Sequence, residues 1–156
     1  MKLDFVIKNG HVVDPAQNID QVMDIAIKDN HIVAFPDEWE CDKVVDASGC
    51  YVFPGLIDFH AHVYGNGSNC AVHAEYLLAT GVTSAVDPGT AGSSNFNSFY
   101  AGTVLASKVR IKSYICMYGS GQIDYNIIEK FDRAEYRPQD IKKMVERYKD
   151  NILGVK

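Results

Sequence analysis

A chain of 156 residues with a 47% hydrophobic share is long enough for an ordinary domain with a packed core. Its formal charge of -5 supplies no basic field for a phosphate backbone, which argues against nucleic acid as a partner. No apolar run approaches the ~20 residues that span a bilayer, and Met1-Lys2-Leu3-Asp4 does not open a secretory leader, so no membrane partner is expected and a cytoplasmic location follows by default.

Residues 1–54 carry the signals of short β-strands. Leu3, Phe5 and Ile7 alternate, Asn9-Gly10 predicts a turn, and residues 24–27 and 31–35 flank Lys28-Asp29-Asn30 as a second hairpin. The expectation is a small antiparallel β unit. Asp46-Ala47-Ser48-Gly49 supplies a further turn, and Tyr51-Val52-Phe53 leads into Pro54-Gly55, where the pattern changes and a domain boundary is placed.

Residues 55–156 alternate short apolar runs with helical stretches, the signature of parallel strands covered by helices. Residues 56–59 are the first strand. A helix over 70–80 follows, closed by Gly81, and residues 82–86 are the second strand. A Gly/Ser/Asn-rich loop over 88–95 delays the next helix. Residues 110–117 read as the third strand, with Gly119-Ser120-Gly121 at its C-terminal end. The best-marked helix covers 138–150, with Pro138 at its start and Ile141, Met144, Val145 and Tyr148 on one face; residues 152–156 are a fourth strand.

Four β/α steps amount to the first half of a (β/α)8 barrel of the TIM type, and half a barrel leaves two parallel edges unpaired. Further chain after Lys156 is therefore expected. An open four-stranded sheet completed by a partner chain is the alternative.

The chemistry concentrates in Pro54-Gly55-Leu56-Ile57-Asp58-Phe59-His60-Ala61-His62. Two residues apart on an extended strand, His60 and His62 project to the same side, with Asp58, while Phe59 and Ala61 face the helices. Two imidazoles can then meet one divalent cation at the strand end where barrel active sites lie. Zn suits nitrogen and oxygen donors, but an HxH pair does not separate it from Fe, Mn, Co or Ni.

The stretch from Tyr51 to His62 resembles the first metal motif of the amidohydrolase superfamily. The preceding β segment is similar to the small β-sandwich of many members, and Gly81-Val82-Thr83-Ser84-Ala85-Val86-Asp87 to their second barrel strand. The resemblance implies a hydrolase with one or two metal ions, in which metal-bound hydroxide attacks a carbonyl or imine carbon. His60 and His62 are then metal ligands. Two more histidines and a proton-shuttle aspartate are expected beyond residue 156, so this segment alone is expected to be inactive. Dihydroorotase-like members extend the motif to HxHxR; Tyr64 stands here instead, which disfavours that branch. Tyr64 and the segment from Asp87 to Phe96 look more like the deacetylase-type branch, with Tyr64 and Asp87 as substrate-binding candidates.

Lys156 ends the fourth strand at the same rim as His60 and His62, where an ammonium beside a metal cation would be strongly repelled. Gly154-x-Lys156 resembles the family position at which lysine reacts with CO2 to give a metal-bridging carbamate; a lysine paired with a carboxylate is the bland alternative. Other groups have plainer roles. His11 and His31 fall in the β segment, His73 on a helix, and Asp58 supports the histidine pair or is satisfied by backbone donors. Asp87 before Pro88 is equally a turn starter. Gly119-Ser120-Gly121 is a loop before it is an oxyanion pocket, and Lys142, Lys143, Glu146, Arg147 and Lys149 form a solvated face. Cys41, Cys50, Cys70 and Cys116 have no CxxC spacing and read as reduced thiols.

The sequence thus predicts a metal-dependent hydrolase that removes an acyl group from a small N-acyl or O-acyl compound. The alternatives are a cyclic amidase of the hydantoinase or dihydroorotase kind, and a catalytically silent barrel homologue serving as a binding subunit. Assembly into a homo-oligomer stays open.

Overall fold

The computed structural model describes residues 1–124, 126 and 133–156. The chain divides into two compact units, Met1–Pro54 and Gly55–Lys156.

In the first unit, β1 (Phe5–Asp14), β2 (Ile19–Lys28), β3 (His31–Val33), β4 (Val44–Asp46) and β5 (Tyr51–Val52) form one five-stranded sheet. The meander β1-β2-β3 is antiparallel, as expected, and Asp29 and Asn30 both take positive φ in the β2–β3 turn. The remainder differs from expectation. β4 and β5 run parallel to β1 along its other edge, so the sheet is mixed. Asn9-Gly10 is not a turn but lies within β1, where the register to β2 shifts between Ile7 and Gly10. Asn9 uses its positive φ of 61° in this irregularity, donating its N–H to Asp24 Oδ1 at 2.8 Å and its side-chain amide to Asp46 Oδ1 at 3.0 Å. Leu3, Val6 and Ala26 make the unit's core, with Val33, Trp39 and Cys41 packed against them. A sandwich needs a second facing sheet, and the described residues of this unit form a single one.

In the second unit, β6 (Leu56–Asp58), β7 (Val82–Asp87), β8 (Arg110–Ile115) and β9 (Ile152–Val155) form a parallel sheet in the order β6-β7-β8-β9. Chain order equals spatial order, so all four C-terminal ends reach one rim. A 3-10 helix (Ala74–Thr80) connects β6 to β7. Helix α1 (Phe96–Phe99) continues as a π-helical segment (Tyr100–Val104) before β8, and α2 (Pro138–Arg147) precedes β9. Phe96, Phe99, Val63, Val109 and Ile115 anchor the core between sheet and helices, and Ile141, Met144, Val145 and Tyr148 of the last helical segment pack there as predicted.

The departures from the predicted boundaries have local causes. The first helix starts at Ala74 rather than residue 70 because the preceding backbone is already paired: Val72 N–H donates to the His62 carbonyl at 3.0 Å, and Tyr64 bridges His73. Gly81 closes it at φ 79°, as expected of a left-handed cap. α2 ends before Tyr148, and Asn151 turns the chain into β9 while buried against β8. Its side-chain amide donates to the Ile111 carbonyl at 2.8 Å, and its oxygen accepts from Ser113 Oγ at 3.1 Å. β8 stops at Ile115 because Cys116 N–H turns to the Ala91 carbonyl, 2.8 Å away.

That last bond belongs to a set that fastens the loop after β7 to the loop after β8. Gln122 N–H donates to the Thr90 carbonyl at 2.8 Å, Ser94 N–H to the Gly119 carbonyl at 2.8 Å, and the Asn95 side-chain amide to the Ser120 carbonyl at 2.7 Å. Gly121 permits the approach: at φ 69°, a β-carbon there would stand 2.2 Å from the Thr90 carbonyl oxygen. Gly121→Ala is therefore expected to destabilise the full-length protein by on the order of 1–3 kcal/mol, read from chemical denaturation midpoints. An unchanged midpoint would contradict the packing described.

Candidate metal centre

β6 ends at Asp58, so His60 and His62 lie just past the strand rather than within it. The chain nevertheless stays extended beside β7. Ala61 N–H donates to the Val86 carbonyl at 3.2 Å and Val63 N–H to Asp87 Oδ2 at 2.9 Å. Ala61 and Val63 enter the core, and alternation sends His60 and His62 to the other side. Their ring centroids are 5.9 Å apart with planes at 73°. Phe59 does not cover the helices as predicted; it is exposed. Asp58 accepts the His60 N–H at 2.9 Å, the local backbone role foreseen for it.

Asp87, at the end of β7, is completely buried. Oδ1 accepts the N–H groups of Gly89 (2.9 Å) and Thr90 (2.6 Å); Oδ2 accepts Val63 N–H (2.9 Å) and the Thr90 hydroxyl (2.7 Å). A carboxylate offers about four lone-pair sites, and four donors of the chain itself fill them. The turn-starter role prevails. Tyr64 is also withdrawn from the rim: it is 7% exposed and packs on Phe99 with ring centroids 5.1 Å apart. An aromatic ring gains more from burial against Phe99 than from an open rim.

Lys156 follows β9 at the common rim, its N–H on the Ile115 carbonyl at 2.8 Å. Its ammonium donates to Gln122 Oε1, and its stem passes over Gly89, where a β-carbon would stand 2.8 Å from Lys156 Cβ. The loop that Asp87 organises thus lies under Lys156. His60, His62 and Lys156 form one electrostatic neighbourhood. Burial pushes His62 below the ordinary imidazole value; Asp87 opposes this, while Lys156 and His60 add to it. A half-buried histidine kept neutral fits a metal ligand, which needs the unprotonated ring.

Two imidazoles suit a borderline divalent cation such as Zn as part of a donor set. Among the described residues, no group of three or more His, Cys, Asp or Glu side chains converges to complete one. The remaining sequence candidates lie elsewhere or act structurally. His11 pairs with Asp20 at 2.6 Å, His31 with the Asp29 carbonyl at 2.7 Å, and His73 is exposed against Tyr76. Gly119 and Ser120 present carbonyls to the neighbouring loop, and Gly121 N–H is spent on the Tyr118 carbonyl at 3.1 Å, so no oxyanion pocket forms there. Sequence reasoning missed Thr90 and Gln122. Thr90 was findable: Asp-Pro-Gly-Thr is a turn whose first carboxylate meets the donors two and three residues on.

No family model matches the chain. Curated relatives do. A deacetylase of Agrobacterium fabrum is 29% identical over 116 residues, covering 72% of this chain and 28% of its own length. An adenine deaminase of Listeria welshimeri is 41% identical over 88 residues (56% and 15%), and a dihydroorotase of Streptococcus pyogenes 41% over 87 residues (52% and 21%). These relatives lie in the amidohydrolase superfamily.

The chain matches the N-terminal portion of these amidohydrolases and spans less than a third of their length. Solved structures agree in fold. A dihydroorotase superposes with a TM-score of 0.79 at 21% identity over 97% of this chain and 41% of its own. An adenine deaminase follows with 0.78 at 24% identity over 98% and 40%. The mixed α/β fold is thus that of amidohydrolase barrel proteins, matched in part. Because Asp87 gathers four donors in a dry interior, Asp87→Ala is expected to cost the full-length protein at least about 3 kcal/mol by leaving them unpaired. A denaturation midpoint within error of wild type would refute that role.

Proposed function

We propose that this chain supplies the first half of a (β/α)8 barrel, preceded by part of a small β-sandwich, in a metal-dependent hydrolase of amide or ester bonds. The substrate proposed is a small N-acyl or O-acyl compound. The observation that supports the reading is the placement of His60, His62 and Lys156 after strands whose C-terminal ends share one rim of a parallel sheet, where barrel enzymes build their sites. The deacetylase relative supports deacylation, since its match runs through 116 residues, beyond those of the deaminase and dihydroorotase.

His60 and His62 are the residues that would hold one or two divalent ions, with Zn the first choice. When bound, such a cation supplies a Lewis acid and lowers the pKa of water. The chain's own residues do the rest. Burial keeps the His62 ring neutral, the Asp87 turn fixes the loop beneath it, and the core face of Ala61 and Val63 sets the direction of both imidazoles. Lys156 is the proposed site of carboxylation. Its neutral amine adds to CO2, forming an N–C bond and releasing a proton, so a cationic side chain becomes an anionic oxygen ligand. Gln122, now accepting from its ammonium, stands where it holds that side chain at the rim.

Burial of Tyr64 gives weight to a second reading. The residue that stood against the dihydroorotase branch does not face substrate, so a cyclic amidase is the alternative activity.

Elemental analysis of the full-length protein is expected to find divalent metal that His60→Ala or His62→Ala removes in large part, with loss of turnover. Unchanged metal in both variants would sink the assignment. Lys156→Ala is expected to lose activity and at least one ion, with short carboxylic acids restoring part of both. A panel of acetylated amino and hydroxy acids, run beside dihydroorotate and hydantoins, decides between acyclic and cyclic substrates; activity confined to the cyclic compounds would overturn deacylation.

A further inference from the structure

At the rim, His62 Nδ1 lies 2.5 Å from Thr90 Oγ1. Which atom donates follows from what surrounds Thr90. Its hydroxyl has one proton and lies 2.7 Å from Asp87 Oδ2. Three backbone N–H groups, from Val63, Gly89 and Thr90, also point at that carboxylate. Every neighbour of the Asp87 carboxylate is therefore a donor, and the carboxylate acts as acceptor alone. The Thr90 proton must go to Asp87. Only lone pairs of Oγ1 then face the ring, so His62 Nδ1 must carry the hydrogen, and in a neutral imidazole Nε2 is left with its lone pair.

We propose that Thr90 is a positioning residue: clamped by Asp87, it holds His62 as the Nδ1–H tautomer and fixes Nε2 as the nitrogen offered to a cation. The metal part of this inference rests on the function proposed above; the tautomer part does not. The contact also stops ring rotation. Thr90 is completely buried, and its carbonyl is held by Gln122 N–H at 2.8 Å, so the hydroxyl cannot follow a turning ring. The His62 carbonyl is tied to Val72 N–H at 3.0 Å, which pins the histidine from its backbone side. Partners on the far nitrogen of a ligating histidine orient the ring and raise its basicity, and their removal typically costs about 10–100-fold in metal affinity.

The test uses the full-length protein with 15N-labelled histidine, stripped of metal. In wild type, His62 is expected to show a protonated Nδ1 and an unprotonated Nε2. Thr90→Val keeps the shape but removes the acceptor, and is expected to shift His62 toward a mixture or toward the Nε2–H tautomer. Thr90→Ser keeps the hydroxyl and is expected to retain the wild-type pattern. Thr90→Ala gives the same reading as the valine variant should that one fail to fold. Zn2+ titration against a chelator is expected to show ~10–100-fold weaker binding in Thr90→Val and near-wild-type binding in Thr90→Ser. Retention of the Nδ1–H form in the folded Val or Ala variant would overturn the proposal, as would a serine variant that behaves like valine. A wild-type protein that binds no divalent ion would refute the metal reading, while the nitrogen spectra still decide the role of Thr90.

Discussion

The rim of the second unit depends on one saturated carboxylate. Asp87 closes β7 and takes hydrogen bonds from the extension of β6 through Val63 and from its own loop through Gly89 and Thr90. Without it, three backbone donors would lie in a dry interior with no acceptor, a cost comparable to a large share of a domain's net stability. With it, the histidine stretch and the loop after β7 become one rigid piece. His62 is positioned from both sides of that piece, by the backbone that Val63 fixes and by the hydroxyl that Thr90 presents.

Rigidity then spreads to the loop after β8. Ala91 and Thr90 offer carbonyls to Cys116 and Gln122, and Gly121 supplies the left-handed backbone that brings them close. Gln122 is also held through its carbonyl by Ser68 Oγ at 2.5 Å, while the Asn69 N–H reaches the Ile123 carbonyl at 3.0 Å. Segments following three different strands therefore meet around the residue that accepts from Lys156. Sites need such support because a loosely held donor forfeits the orientation that binding and chemistry demand.

Much of this was legible in the sequence, and the limits have physical causes. The same-side placement of His60 and His62 was legible because alternation survives past the last ladder residue, carried by the bonds of Ala61 and Val63 to β7. Gly81 and the apolar stripe of α2 read correctly because capping and helical periodicity are local. Asn9-Gly10 misled because the backbone that suits a two-residue turn equally suits an irregularity inside a long strand, and the sequence does not show the partner strands on either side. The burial of Tyr64 and Asp87 was not legible for a related reason. Both occupy positions where a family motif places or permits substrate contact, but whether a side chain faces the rim or the core is decided by Phe99 in one case and by four distant or loop donors in the other.

The burial of Asp87 also bears on charge. A divalent cation between His60 and His62 would meet, from Lys156, a repelling ammonium. The Asp87 carboxylate is spent on the chain's own donors, and Asp58 is engaged with the His60 N–H. Neutral donors orient a metal, but anionic ligands are what offset its charge in a partly buried place. Among the described residues of this rim, Lys156 is the side chain whose chemistry can reverse sign without a change of sequence. Carboxylation would remove the repulsion and supply the missing anion in one step, which is why the proposed role of Lys156 follows from the same constraint that hides Asp87.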